Sequence, residues 1–321
     1  METNVLLPRS ETYQNLPVGW SCREPNHTMT ATPLLSPLGL GTGRLASLGS
    51  RTTTRNTSFL LNTAIDQGIR VIDTADTYGS GDSERAIGKA LGVRARSEFF
   101  LITKAGLRHV AMPAAFSPLN QIGKKFVQLG SPRRNFSKQY LLRCIEASLK
   151  RLRMEYVDAF LLHAVETGEP TAETWEALDL IRSKGLSRMT GISTGDLAVV
   201  REGLAAGQVS IVETPISASA RSAREICDLC FSHGVAIVGN EVLKPRAMTP
   251  EQADRWNLLR LKYGLADTST IHLLIAYALT RPAVRCAVVG STSPEHLVEN
   301  LNAIHYKDHT ALFEELKELF R

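Results

Sequence analysis

Apolar residues along this chain gather in short, unbroken, β-branched runs, separated by longer stretches with helical spacing. The runs are "RVIDTA" (70–75), "FFLITKA" (99–105), "VDAFLLH" (157–163), "SRMTGIS" (187–193), "SIVETPI" (210–216), "AIVGNEV" (236–242) and "CAVVGST" (286–292). They are continuous rather than alternating, which is the pattern of strands buried on both faces of a parallel sheet. The glycine-rich "LGLGTG" (38–43) supplies a first strand and brings the number to eight. Helical patterns follow at 56–68, 83–92, 137–153, 172–185, 196–207 and 222–234, with two more near 250–262 and 268–280 and a last at 294–304. Several end at glycine (Gly68, Gly92, Gly185, Gly207 and Gly234), the residue that takes up positive φ at least cost. Eight strand–helix units predict an α/β fold of the closed (β/α)8 TIM barrel type over residues 34–321. Residues 1–33 mix polar residues, prolines and Trp20 without period and read as a tail or strap, placed to close the bottom of the barrel.

Composition narrows the partners. The net charge of +5 includes no dense Lys/Arg block, which argues against nucleic acid. No apolar run reaches the length of a membrane span, and the N-terminus lacks the charged start and apolar core of a secretory signal. Five cysteines, odd in number and scattered, suit reduced thiols and a cytoplasmic setting. Cys227 and Cys230 have metal-like spacing, but they lie in the helical "AREICDLCFSHG" with no second ligand pair, so they read as a half-buried helical pair. "GLGTG" is no dinucleotide fingerprint, because the full G-x-G-x-x-G and the later acidic residue are missing. The sequence gives no indication of oligomeric state.

In a barrel of this type, reactive side chains project from the C-terminal ends of the strands. Asp73 and Tyr78 follow the second strand, Lys104 ends the third, and His163 ends the fourth. Together they form a proton-transfer set. A tyrosine is a poor acid at neutral pH, and an adjacent ammonium is expected to lower its pKa. Asp73 would pair with Lys104 and offset the cost of burying it, and His163 would donate to a substrate carbonyl oxygen. Asp76 has no evident partner in this scheme and is expected to face solvent or the loop.

"GIRVIDTADTYGSGDSERAIGKAL", "LITKAG", "SLKRLRMEYVDAFLLH", "KGLSRMTGIS" and "VVGSTSPEHLVENL" together resemble the aldo-keto reductase family, over nearly the whole chain after about residue 35. The resemblance implies an oxidoreductase that uses NADP(H), favoured, or NAD(H), on a barrel without a Rossmann domain. The family's tetrad falls on Asp73, Tyr78, Lys104 and His163 without a substitution. Its nicotinamide carboxamide site falls on Ser193 and Thr194, where relatives have Ser-Asn, and on Glu213, where they usually have glutamine. Asn240 stands where an aromatic often stacks on the nicotinamide. Leu243, Lys244 and Arg246 fall in the loop that cradles the pyrophosphate. Gly290, Ser291, Thr292, Ser293, His296, Glu299 and Asn300 fall at the adenosine end, with no clear guanidinium for a 2′-phosphate. The amides that follow Ser293-Pro294 are a further place for phosphate.

The connection after Lys104 is long and carries Arg108, Lys124, Lys125, Arg133 and Arg134 without an acidic residue. It reads as a wall of the substrate pocket, with Phe116 and Phe126 as apolar lining and its charges either solvated or directed at an acidic substrate. The expected substrate is a small carbonyl compound, alcohol or sugar. An NAD-dependent sugar (aldose or lactol) dehydrogenase is the alternative enzyme, and a nucleotide-sensing regulatory barrel subunit is the alternative of another class.

Overall fold

A computed structural model describes residues 35–45, 54–107, 134–220, 222–244 and 248–320. The tail at 1–33 and most of the long connection, with Arg108, Phe116, Lys124, Lys125, Phe126 and Arg133, lie outside the described residues, as does Arg246. Eight parallel strands close into a barrel in chain order: β1 (Leu38–Gly41), β2 (Val71–Asp73), β3 (Phe100–Ala105), β4 (Val157–His163), β5 (Ser187–Ser193), β6 (Ile211–Pro215), β7 (Ala236–Asn240) and β8 (Val284–Gly290). Closure comes from β1 against β8, with Leu38 opposite Ala287 and Gly41 opposite Gly290.

Side chains alternate between the two faces of each strand. Leu40, Ile72, Leu101, Phe160, Leu162, Ile192, Val212 and Ile237 point outward, into the layer shared with the helices. Val71, Phe100, Ile102, Ala159, Leu161, Ile211, Val238, Cys286 and Val288 fill the interior. Two residues further along the same inner faces come Asp73, Lys104, His163 and Glu213. The period of the strand therefore delivers the polar residues as the top layer of the interior column. Gly39 belongs to the tightest part of that column, since a Cβ there would lie 2.9 Å from Cys286 Sγ.

The surrounding helices are α1 (Thr54–Asp66), α2 (Asp82–Leu91), α3 (Lys138–Leu152), α4 (Ala172–Ser183), α5 (Leu197–Ala205), α6 (Ala223–Ser232), α7 (Pro250–Lys262), α8 (Thr270–Leu279), α9 (Pro294–Glu299) and α10 (Thr310–Glu318). The helical pattern expected over 294–304 is split, because α9 gives way to a 3-10 helix at Asn300–Tyr306. The hydrophobic pattern does not single out α10, although Leu312, Phe313 and Leu316 bury one stripe of it against Trp256, Leu273 and Tyr277. Gly92 also departs from expectation. Its φ of −64° is helical, whereas Gly68, Gly185, Gly207 and Gly234 have the positive φ of a terminus. Cys227 and Cys230 are both buried on α6, and burial pushes both thiols up to about 12.

α2 and α3 cross closely at Gly88, where a Cβ would lie 2.4 Å from the Leu152 carbonyl oxygen. Gly88→Ala is therefore expected to lower the unfolding free energy by about 1–3 kcal/mol through forced separation of the two helices. Urea denaturation of the two proteins checks this, and an unchanged midpoint would show that the crossing yields without cost.

Candidate active site

The loop after β2 is built on hydroxyls. Thr42 Oγ1 donates to the Asp73 carbonyl (2.9 Å), Ser83 Oγ donates to Thr42 Oγ1 (2.8 Å), and Thr74 and Ser83 share a hydrogen bond of 3.0 Å. This ties the end of β1, the end of β2 and the start of α2 into one unit. Below it, the fully buried Glu84 accepts from Thr103 Oγ1 of β3 (2.7 Å) and from Arg151 Nε of α3 (2.6 Å). Neither Glu84 nor Arg151 stands out in the sequence. The signal is there in a glutamate at the third position of an otherwise apolar helix face, but only the fold reveals its partners.

Tyr78 leaves this frame at a 3-10 turn and lines a cavity of about 730 Å³ at the barrel mouth. Asp73, His163, Ser193, Thr194, Glu213, Asn240, Leu243, Lys244 and Gly290 line the same cavity. Adjacent strands place His163 opposite Ser193, and Ser193 opposite Glu213. Tyr78 and His163 meet edge to face with ring centroids 5.9 Å apart, and Lys104 Nζ lies 5.4 Å from the Tyr78 ring centroid. Ala164 (φ 53°) and Glu241 (φ 53°), just past the ends of β4 and β7, hold left-handed backbone at the cavity wall, a strain that ordered sites concentrate.

Lys104 is fully buried. Its ammonium is bonded to Asp73 Oδ1, donates to the Thr74 carbonyl (3.1 Å), and lies 3.1 Å from Glu213 Oε2. Burial alone would lower the lysine pKa, but the charges of Asp73 and Glu213 outweigh this and hold the ammonium well above its usual range. Asp73 is pushed up to about 8 by burial and then by Glu213, against the pull of Lys104. Two buried carboxylates thus face one ammonium.

This corrects the expectation for Tyr78. The Lys104 charge is the largest influence and does pull the phenol down, but burial and the charges of Asp73 and Glu213 together exceed it, and the phenol rises to about 12. Asp76 is also corrected. It is 1% exposed, and burial, followed by the charge of Glu84, pushes its carboxyl up to about 8.

Glu213 Oε1 accepts from Asn240 Nδ2 (2.7 Å) and Ser193 Oγ (3.3 Å). Thr194 Oγ1 donates to the Val165 carbonyl at 2.8 Å. Lys244 is half exposed and paired with Glu241 at 2.8 Å. Beyond Gly290, Ser291 and Ser293 are engaged in local bonds. Ser291 Oγ donates to the Ser293 carbonyl, and Ser293 Oγ caps α9 by accepting from the His296 amide (3.2 Å) while donating to Glu295. Thr292, His296 and Glu299 are exposed and Asn300 is half-buried. Arg134 pairs with Glu166 (2.5 Å) and Glu169 (3.4 Å) of the loop after β4.

Residues 37–320 match the Aldo/keto reductase family. The chain is 24% identical over 305 residues to an NADH-specific methylglyoxal reductase of Escherichia coli, covering 84% of this chain and 90% of that one. It is 26% identical over 311 residues to a D-threo-aldose 1-dehydrogenase of a Pseudomonas species, covering 88% and 93%. An aldo/keto reductase of Klebsiella pneumoniae, solved with NADP and acetate, shares the fold with a TM-score of 0.69 and 22% identity, covering 88% of this chain and 91% of that one.

The buried carboxyl of Asp76 has a consequence for stability. A folded-state pKa near 8 against an ordinary 3.8 means that the folded protein binds a proton the unfolded chain releases. Its contribution is fully present below about 4 and is lost as pH rises through about 8. Asp76→Asn is expected to flatten this fall, read as the difference in unfolding free energy between pH 5 and pH 8.5. An equal slope in both proteins would contradict the burial argument.

Proposed function

This chain belongs to the aldo/keto reductase family, and we propose that its barrel mouth transfers a hydride between a nicotinamide cofactor and a small carbonyl or alcohol substrate. The observation that carries this reading is a buried ammonium behind the ring of a tyrosine that lines one cavity together with a histidine. The cavity fits the cofactor's carboxamide in one particular: Asn240 Oδ1 is buried without a hydrogen-bond partner among the described residues, an acceptor suited to an amide NH2. Ser193, Thr194 and Glu213 would flank that group. Leu243 and Lys244, with Arg246, would take the pyrophosphate. Gly290 to Ser293, His296, Glu299 and Asn300 would take the adenosine end.

When bound, the nicotinamide supplies or accepts the hydride at the substrate carbon. The protein handles the proton. Tyr78, with its phenol near 12, keeps its proton across the neutral range and holds it at Oη for the oxyanion of a reduced carbonyl. His163 orients the carbonyl oxygen toward it. Lys104 stabilises phenolate once the proton has left, and Asp73 keeps the ammonium in place.

Two cofactors remain in play, because the Escherichia coli relative is NADH-specific and the Klebsiella structure contains NADP. NADP(H) is our choice, with NAD(H) as the alternative. Oxidation of a sugar at an aldose or lactol carbon is the second reading, supported by similarity to the D-threo-aldose 1-dehydrogenase over most of both chains.

Fluorescence titration with NADPH and NADH, followed by a panel of carbonyl compounds and sugars with the tighter nucleotide, tests the assignment. Tyr78→Phe is expected to lower kcat by about 10²–10⁴-fold while leaving nucleotide affinity within about twofold, because the phenol acts on the transition state. Lys104→Met should be similarly severe, and His163→Ala should impair carbonyl positioning. Full turnover in the Tyr78 variant would overturn the mechanism, and nucleotide binding without any hydride transfer would favour a sensor.

A further inference from the structure

The buried cluster under the cavity carries one more carboxylate than a lysine requires. Glu213 is 2% exposed, lines the cavity, and is fixed from three sides: Lys104 on Oε2, and Asn240 and Ser193 on Oε1. Asp73 already neutralises the same ammonium. With both carboxylates ionised, Asp73, Glu213 and Lys104 sum to one excess negative charge, all three are buried, and both carboxylates line the cavity.

We infer that Glu213 makes this site favour the oxidised, cationic nicotinamide over the reduced, neutral one. The inference rests on the proposed placement of the nicotinamide beside Ser193, Glu213 and Asn240. A glutamine at this position would offer the same acceptor and no net charge. A carboxylate in the same place adds an electrostatic attraction that only one redox state of the ring can use, and a low-dielectric site strengthens it. Differential affinity for two states is what shifts an equilibrium between them.

The groups that face Glu213 bear on its charge. They are Asp73 from β2, Tyr78 after it, Lys104 from β3, His163 at the end of β4, and Cys286 from β8, whose thiol is raised by burial and by both carboxylates. Arg44 and Lys244 also line the cavity, both from exposed positions, and Lys244 is already paired with Glu241. Below about 8 Asp73 carries a proton and the excess charge is cancelled; above it the charge is present. Preference for the oxidised nucleotide therefore grows as pH rises.

The experiment measures dissociation constants of oxidised and reduced NADP and NAD, by calorimetry and by fluorescence, for the full-length protein and for Glu213→Gln. Substitution is expected to raise the ratio of oxidised to reduced dissociation constants by about tenfold at pH 9. In the unsubstituted protein the ratio should fall between pH 6.5 and pH 9, while in the variant it should stay flat. A ratio that changes by less than about twofold in the variant, with both nucleotides still bound, overturns the role of Glu213 and leaves the proposed function standing. A pH-independent ratio in the unsubstituted protein overturns it equally, and this arm needs no variant to fold. Failure of the unsubstituted protein to bind either nucleotide would instead remove the functional reading, and the inference with it.

Discussion

An ammonium taken fully out of water must be met by opposite charge, and at Lys104 two carboxylates do so where one would balance it. The requirement reaches across the barrel, because Asp73 comes from β2, Lys104 from β3 and Glu213 from β6. Strands that are not neighbours are thereby tied at their C-terminal ends through a single nitrogen. The surplus carboxylate then governs its surroundings. It raises Asp73, it opposes the effect of Lys104 on Tyr78, and it gives Asn240 and Ser193 an acceptor to hold.

A second set of buried polar contacts supports the first from outside the barrel. Glu84 joins Thr103 on β3 to Arg151 on α3, directly behind the strand that carries Lys104. The hydroxyls of Thr42, Thr74 and Ser83 fix the loop from which Tyr78 departs. A buried polar group is tolerated when its bonds are satisfied, and a chain of such groups is stiffer than any one of them. The position of the Tyr78 ring thus follows from contacts made by residues that do not themselves reach the cavity.

Much of this is legible in the sequence. Short apolar runs gave seven of the strands, β4 and β5 to the residue, because strands covered on both sides carry few polar residues between their ends. β1 was readable only as the missing eighth, since Gly39 and Gly41 replace the side chains a strand usually shows. The four residues of the tetrad stood out because polar groups at the ends of apolar runs are costly anywhere else. What the sequence concealed was electrostatic and three-dimensional. Glu213 sits far from Lys104 in the chain, so its approach to the ammonium, and the resulting rise of the Tyr78 phenol, needed the closed barrel to bring them together. Asp76 looked like a loop residue because its polarity suggested solvent, whereas α2 and α3 cover it. Arg134 lost its apparent freedom for the same reason: the acidic residues that pair with it follow the next strand.

Barrel closure joins a strand near residue 40 to one near residue 290. Contacts this distant in the chain are slow to form, and a polypeptide made from its N-terminus gains them late. Asp73, Tyr78 and Lys104 emerge in the first third of synthesis and His163 near its midpoint, yet the floor beneath them waits for Glu213 and the wall beside them for Gly290. On the ribosome, the charged trio has no dry interior to occupy until almost the whole chain has been translated.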